Sequence, residues 1–264
     1  MKAAQLFDVS GQVVFVTGAA SGLGLAYSEV LAENGAHVVM TDIDERTLRE
    51  RAATLQQSGA SVEAIVLDVG DTDALRGAVD ATARKHGRLD VVFANAGISA
   101  GTGPFTEAGA IRNVPLERWK NVVDINLTSV FATIQAAAAP MTAQRSGRII
   151  VTSSIGGMKS EPMVGYAYAA TKAALNNLIR HAAVELAQHN ILVNAIAPGP
   201  FLTNIANGRV KKDPEVRKQF EAMIPLHRIA EPDEIKGLAL FLASPASSYV
   251  TGAVIPIDGG ATAW

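Results

Sequence analysis

Val13-Val14-Phe15-Val16-Thr17-Gly18-Ala19-Ala20-Ser21-Gly22-Leu23-Gly24 decides the fold class. Four apolar, mostly β-branched residues stand together with no polar residue alternating among them, which describes a strand covered on both faces. The glycines that follow let the backbone turn tightly and come close to a ligand. A strand, a glycine turn and a helix N-terminus in that order make an anion-binding corner, where backbone amides and the helix dipole favour a pyrophosphate. The spacing is G-x-x-x-G-x-G rather than the commoner G-x-G-x-x-G. The strand–turn–helix context therefore carries the expectation of dinucleotide binding more than the spacing does.

Working outward, the same kind of run recurs at His37-Val38-Val39-Met40, Ala64-Ile65-Val66-Leu67, Val91-Val92-Phe93-Ala94, Arg148 to Thr152, Ile191 to Ile196 and Ala253 to Ile257, with helical patterns between them. This alternation predicts an α/β fold: a Rossmann-like, doubly wound parallel sheet of about seven strands with helices on both faces. No linker rich in Gly, Ser or Pro, no repeat and no low-complexity segment divides the chain, so residues 1–264 read as a single domain. Asp42 ends the second run, where a carboxylate can accept from both adenosine ribose hydroxyls and repel a 2′-phosphate. Its neighbours Ala19, Ala20, Ser21 and Ile43 supply no cation, so NAD is expected over NADP; a turn or helix-capping role for Asp42 is the alternative. Asp68-Val69 ends the third run, from which the carboxylate could reach an adenine amino group or simply cap a helix. Asn95-Ala96-Gly97 ends the fourth, with small residues that leave room for a cofactor at the strand ends.

A second stretch, Ser153 to Lys172, follows a buried strand and leads into an Ala-rich helix beginning near Tyr166. Tyr168 and Lys172 are four apart and share a helix face. A phenol titrates near pH ~10, so a tyrosine general base near neutrality needs a shift of roughly 3 units, about 4 kcal/mol. An ammonium one turn away favours the phenolate. Ser154, at the strand end, could hydrogen-bond the same substrate oxygen, because a hydroxyl both donates and accepts. Ser153 is aimed to the opposite face, and the residue four after Tyr166 is Ala170. The plain alternative for Tyr168 and Lys172 is a solvated pair on a helix surface.

Composition narrows the classes. The 264 residues carry a net charge of −2 and no basic domain, which argues against a nucleic-acid partner. There are no cysteines, so disulfides and thiolate chemistry are excluded and a reducing cytoplasm is compatible. The N-terminal residues lack a signal-peptide core and no run of ~18 apolar residues occurs, so a soluble cytoplasmic protein without a membrane span is expected. The five histidines show no ligand spacing along the chain, and no metal is expected.

Taken together, the Thr17–Gly24 turn, Asp42, Asp68, Asn95-Ala96-Gly97, Asn126, Ser154, Tyr168 with Lys172, Pro198-Gly199-Pro200-Phe201-Leu202-Thr203 and Asp258-Gly259-Gly260 resemble the short-chain dehydrogenase/reductase family over nearly the whole chain. The resemblance implies a catalytic group of Asn126, Ser154, Tyr168 and Lys172. Tyr168 would be the acid/base, Lys172 would lower its pKa and hold the nicotinamide ribose, Ser154 would orient the substrate oxygen, and Asn126 would anchor a proton-relaying water. It also implies a cofactor cradle of Gly18, Ser21, Gly22, Leu23, Gly24, Asp42, Ile43, Asp68, Val69, Asn95, Ala96, Gly97, Pro198, Gly199 and Thr203, together with Tyr168 and Lys172. Thr203 would meet the nicotinamide carboxamide. By the same analogy a substrate lid spans about 200–225, with Met158, Met163, Phe201 and Met223 as apolar walls, and the protein is a homotetramer to which Trp264 adds a subunit contact.

Two stretches depart from the pattern. Ser154 precedes Tyr168 by 14 residues where relatives often show 13, and the loop from Ile98 to Val114 is longer than the family suggests. That loop could shape the substrate side of the pocket or be a surface insertion. Arg209, Lys211, Lys212, Arg217 and Lys218 form a basic cluster in the lid, either a solvated face or an attractor for a carrier phosphate. The expected function is NAD-dependent interconversion of a secondary alcohol and a ketone. The alternatives are a 3-oxoacyl-thioester reductase and a catalytically silent dinucleotide-binding module.

Overall fold

Seven parallel strands lie side by side in the order β3-β2-β1-β4-β5-β6-β7 in the computed structural model, which describes residues 2–263. They are β1 (Val13–Thr17), β2 (His37–Asp42), β3 (Val62–Val66), β4 (Val91–Ala94), β5 (Gly147–Thr152), β6 (Ile191–Pro198) and β7 (Val254–Ile257). The helices are α1 (Ala3–Leu6), α2 (Gly22–Glu33), α3 (Glu45–Gln57), α4 (Thr72–His86), α5 (Leu116–Val123), α6 (Ser129–Gln144), α7 (Tyr166–Leu186), α8 (Ile205–Lys212), α9 (Pro214–Ala222) and α10 (Lys236–Ala243). The strand order reverses between β1 and β4, and ligands bind α/β sheets at such a point, beyond the carboxyl ends of the strands.

Side-chain alternation explains why the strands are apolar without a break. Val14 and Val16 of β1 join Tyr27 and Leu31 of α2 in the core on one face. Val13 and Phe15 join Leu75 and Val79 of α4 and Ile134 of α6 on the other. Each strand thus feeds two cores, and a polar residue on either face would be stranded. The expected seven-stranded, doubly wound sheet is the observed one. Only β3 is displaced, beginning at Val62 instead of Ala64. It is an edge strand, where pairing with β2 decides the bounds: Val38 faces Val62 and Asp42 faces Val66.

Leu116 to Gln144 forms one continuous rod in which α5 and α6 are joined by a π-helical turn at Asp124–Thr128. By length and composition the rod could cross a membrane, yet it packs in this fold against α4 and α7. The segment expected to form a lid folds as α8 and α9, whose Val210 and Phe220 pack on Ile155, Ile224, Ile229 and Ala261. Trp264 lies outside the described residues.

Candidate active site

The glycine turn is held in shape by the end of β4. The Asn95 amide donates to the Thr17 and Gly18 carbonyls at 2.9 and 3.2 Å, while the Asn95 and Ala96 backbone N–H groups donate to the Thr17 hydroxyl at 2.9 and 3.1 Å. Gly18 has φ +67, and a Cβ on Gly24 would overlap the Gly18 carbonyl oxygen, so only glycine lets α2 start this close to the turn. Asp44 and Asp71 cap α3 and α4 with their side chains. Ser21 at the start of α2 makes no such bond, and the first turn of α2 holds no acid. Its leading amides therefore have no side-chain acceptor, and the small residues leave them open to an anion. Thr203 stands against Gly22, 3.3 Å from where a Cβ would be. This cradle fits the pyrophosphate of a dinucleotide.

Around it, Asp42 accepts from the backbone N–H groups of Ala20 and Asp44, each at 3.0 Å, one on each carboxylate oxygen. It braces the glycine turn and keeps further acceptor capacity. Ile43 beside it is exposed, and Leu23 is half-buried. Asp68 accepts from the Gly70 N–H at 2.8 Å. It does not cap α4, a place taken by Asp71; Val69 is buried. Pro198 ends β6, and the Gly199 N–H donates to Ile257 at 3.0 Å. A cleft of about 380 Å³ beside Ser21 and Gly22 is also lined by Arg51 and Lys211. Sequence neighbours gave no hint of these two cations, because α3 and α8 bring them in from far along the chain.

Ser154, Tyr168 and Lys172 converge as follows. Ser153 turns its hydroxyl to Asn176 of α7 at 2.6 Å, and Ser154 faces the other way, toward Tyr168. The Ser154 Oγ accepts from the Gly156 N–H at 3.1 Å, which leaves its proton free. Lys172 is 4% exposed. Its Nζ donates to the Thr152 carbonyl at 2.7 Å and lies 5.5 Å from the centre of the Tyr168 ring. Burial lowers the Lys172 pKa to about 8. Burial also pushes the Tyr168 phenol up, and the Ser154 hydroxyl draws it partly back. The expected lowering of the tyrosine by Lys172 is therefore not seen: burial holds the phenol above its ordinary value, and the opposing pull comes from Ser154.

Asn126 is fully buried in the π-helical turn. It clamps Ile98 from both sides, its Oδ1 accepting from the Ile98 N–H and its Nδ2 donating to the Ile98 carbonyl, each at 2.8 Å. An extra residue in a helix re-aims the side chains that follow, a device frequent at functional sites. Thr152, absent from the sequence reading, links the parts: its carbonyl holds Lys172 and its hydroxyl donates to the Asn95 Oδ1 at 3.0 Å.

A cavity of about 300 Å³ is lined by Ile155, the residue after Ser154, and by Lys159, Ser160, Glu161, Pro162, Pro200, Phe220, Ala222, Met223, Ile224 and Ala261; Ser154, Tyr168 and Lys172 are not among its walls. Of the four expected apolar walls only Met223 is among them. Phe201 is buried in the sheet core instead, and Met158 is exposed. Glu161 carries a carboxylate oxygen that is buried and without a hydrogen-bond partner, and burial raises its pKa. No motif marks it; only the fold turns it inward. The long loop closes on the same region, with Gly103 packed flat on the Pro162 backbone and Gly165 on Ala100, so it borders the pocket. The absence of ligand spacing among the histidines does not carry over to space, since His37 and His86 meet at Glu63, away from this site.

A family model described as enoyl-(acyl carrier protein) reductase matches residues 18–262. A 3-oxoacyl-[acyl-carrier-protein] reductase of Thermotoga maritima is 38% identical over 252 residues, covering 96% of this chain and 98% of the relative. A cis-4-hydroxycyclohexanecarboxylate dehydrogenase of Sinomonas cyclohexanicum is also 38% identical, over 96% of this chain and 97% of the relative. Among solved structures, one assigned as an NAD(P)-dependent gluconate 5-dehydrogenase from Beutenbergia cavernae, with NADP at low occupancy, superposes with a TM-score of 0.89 at 35% identity, over 98% of this chain and 100% of that one. With matches of this length and identity, on a seven-stranded sheet of the same design, the chain belongs to the short-chain dehydrogenase/reductase family of nicotinamide-dinucleotide oxidoreductases.

Proposed function

We propose that this protein is an NAD-dependent dehydrogenase or ketoreductase that interconverts a secondary alcohol and a ketone, with Tyr168 as the acid/base. The observation that carries the reading is the buried Lys172 ammonium, which faces the Tyr168 ring and has a backbone carbonyl but no carboxylate beside it. Burying such a charge is costly, and an aliphatic side chain would pack there without that cost. A lysine at this position makes sense as a charge kept for a phenolate.

A dinucleotide held by the glycine turn and Asp42 would supply the hydride acceptor. Ser154 hydrogen-bonds the substrate oxygen with the proton that its contact to Gly156 leaves free. Tyr168 takes the hydroxyl proton of the carbinol as the C–H electron pair departs with the hydride, and returns it to the ketone oxygen in the reverse direction. Lys172 stabilises the phenolate through charge. Asn126 fixes the Ile98 backbone over the same space, and its amide retains hydrogen-bonding capacity for a water that relays protons. Asp42 at the ribose end supports NAD, while Arg51 and Lys211 near Ser21 are the cations that would support NADP.

A second reading, reduction of a 3-oxoacyl thioester, is supported by the exposed Arg209, Lys211, Lys212 and Lys218 on α8 and α9, next to the cavity walls Phe220 and Met223. Purified protein should be assayed by nicotinamide absorbance with NAD⁺ and NADP⁺ against linear, cyclic and aryl secondary alcohols. Ketones and acyl thioesters would test the reverse direction, beside Tyr168→Phe. We expect NAD⁺ reduction by some alcohols and a loss of about 10²-fold or more in the variant, the scale of general acid–base catalysis. Faster turnover of thioesters than of simple ketones favours the second reading. Turnover preferring NADP⁺ overturns the role given to Asp42, and no turnover in either direction leaves a binding module.

A further inference from the structure

At the end of the sheet opposite Asp42, three ligand-type atoms converge. His37 opens β2, Glu63 lies on the neighbouring edge strand β3, and His86 closes α4. The His37 Nε2 is 2.9 Å from the Glu63 Oε1, and the His86 Nε2 is 3.0 Å from the same oxygen. All three atoms lie within 4.8 Å of one another, the two rings are 4.4 Å apart between centroids, and the side chains are only 18–24% exposed.

Protons leave one member of this cluster, the His86 Nε2, without a partner. The His37 Nδ1 sits 2.6 Å from the Ser61 hydroxyl. The His37 Nε2 is hydrogen-bonded to the Glu63 Oε1 at 2.9 Å: with Nδ1 accepting from Ser61 the ring donates to the carboxylate, and with Nδ1 donating to Ser61 its Nε2 lone pair is open to a cation. The His86 Nε2 is buried and makes no hydrogen bond despite its closeness to Glu63, because distance without angle is not a bond. A cation placed among the two imidazole nitrogens and the carboxylate gives the His86 Nε2 the partner it lacks. Two imidazole nitrogens and one carboxylate oxygen are a donor set for borderline first-row ions, whereas Mg²⁺ and Ca²⁺ prefer oxygen alone.

We propose that His37, Glu63 and His86 form a binding site for a zinc-class divalent transition-metal ion. Zn–N and Zn–O bonds run at about 2.0–2.2 Å, which separates tetrahedral ligand atoms by about 3.3 Å. The two contacts to the Glu63 Oε1 need to open by only a few tenths of an ångström, and the two imidazole nitrogens lie within 4.8 Å of each other. Ser61 serves as the outer hydrogen-bond partner that fixes the His37 tautomer. Lys85 donates to the Glu63 Oε2 at 2.8 Å, leaving Oε1 for the ion, and three protein ligands leave a fourth position to water. The role is structural. Five steps along β2, at roughly 3.3 Å each, put His37 about 16 Å from Asp42. The ion ties the edge strand and the C-terminal end of α4 to β2, at the margin where a sheet opens most readily.

The test uses untagged full-length protein, stripped of metal with a chelator and titrated with Zn²⁺ by calorimetry and with Co²⁺ by visible absorption. We expect one ion per chain, the intense visible bands of tetrahedral Co²⁺ and a thermal midpoint that rises with metal. His37→Ala and His86→Ala should each weaken binding at least tenfold, and Glu63→Gln should do the same while keeping the side chain's shape. Circular dichroism tells loss of the site from loss of the fold, and His37→Asn replaces any alanine variant that unfolds. No stoichiometric binding by the wild type, or binding undiminished in folded His37 and His86 variants, overturns the proposal.

Discussion

Lys172 and Glu161 show how single residues at this site trade stability for chemistry. Lys172 titrates at about 8 in the fold, below its ordinary 10.5. The native state therefore binds fewer protons than the unfolded chain between those values, and stability rises with pH across that window. Below about pH 8 the cost of burying the charge is fully present, about 3 kcal/mol by the size of the shift, less roughly 1 kcal/mol for the bond to Thr152. Lys172→Met should abolish turnover yet unfold at higher urea than the wild type at pH 7, with the advantage fading toward pH 10.5. A variant less stable at pH 7 would show that Lys172 is held by more than is visible here. Glu161 has the opposite sign. Its raised pKa means that the native state binds more protons than the unfolded one, so stability falls as pH rises from the ordinary carboxylate range to the raised value. Glu161→Gln should raise the thermal midpoint at pH 7 and leave it unchanged below pH ~4. Equal midpoints at pH 7 would mean that the carboxylate is solvated.

Among the elements, the turn Ile155–Gly157 after β5 matters most, because it seats Ser154 against α7. A Cβ on Gly157 would lie 2.5 Å from the Lys172 carbonyl carbon and 2.6 Å from its oxygen. These are backbone atoms of a packed helix that cannot yield, so the turn must shift. Gly157→Ala should destabilise by about 1–3 kcal/mol, as overpacking does, and lower kcat at least tenfold with little change in cofactor affinity. Gly237→Ala in α10, where nothing lies within 4 Å, is the control. It should gain about 0.5–1 kcal/mol from helix propensity with activity intact. Comparable behaviour of the two variants in urea unfolding and steady-state kinetics would remove the close approach as the reason for glycine at 157. The π-helical turn at Asp124–Thr128 acts in a related way: by fixing Asn126 on Ile98 it anchors the start of the long loop that borders the pocket.

For the molecule as a whole, α5, α6 and α7 present Trp119, Phe131 and Val184 to the outside, with Val184 81% and Phe131 47% exposed. Large apolar side chains gathered on helices that also carry catalytic candidates suit contacts between subunits. We predict a homotetramer by light scattering, and a smaller species for Phe131→Glu; a monomeric wild type would refute this. The sequence by itself determined the parallel sheet, the glycine turn and the Tyr168–Lys172 pair. Those signals are local: a strand buried on both faces must be apolar throughout, and two residues four apart share a helix face whatever surrounds them. Asp42 was legible for the same reason, since the end of a strand can be read from its own run. Only the tertiary structure decided the inward turn of Glu161, the place of Arg51 beside Ser21, the withdrawal of Phe201 from the pocket wall into the sheet core, the link through Thr152 and the meeting of His37 with His86. Each of these joins residues from elements far apart in the chain, whose relative position is set by strand pairing and helix packing, and no periodicity within either segment records the other.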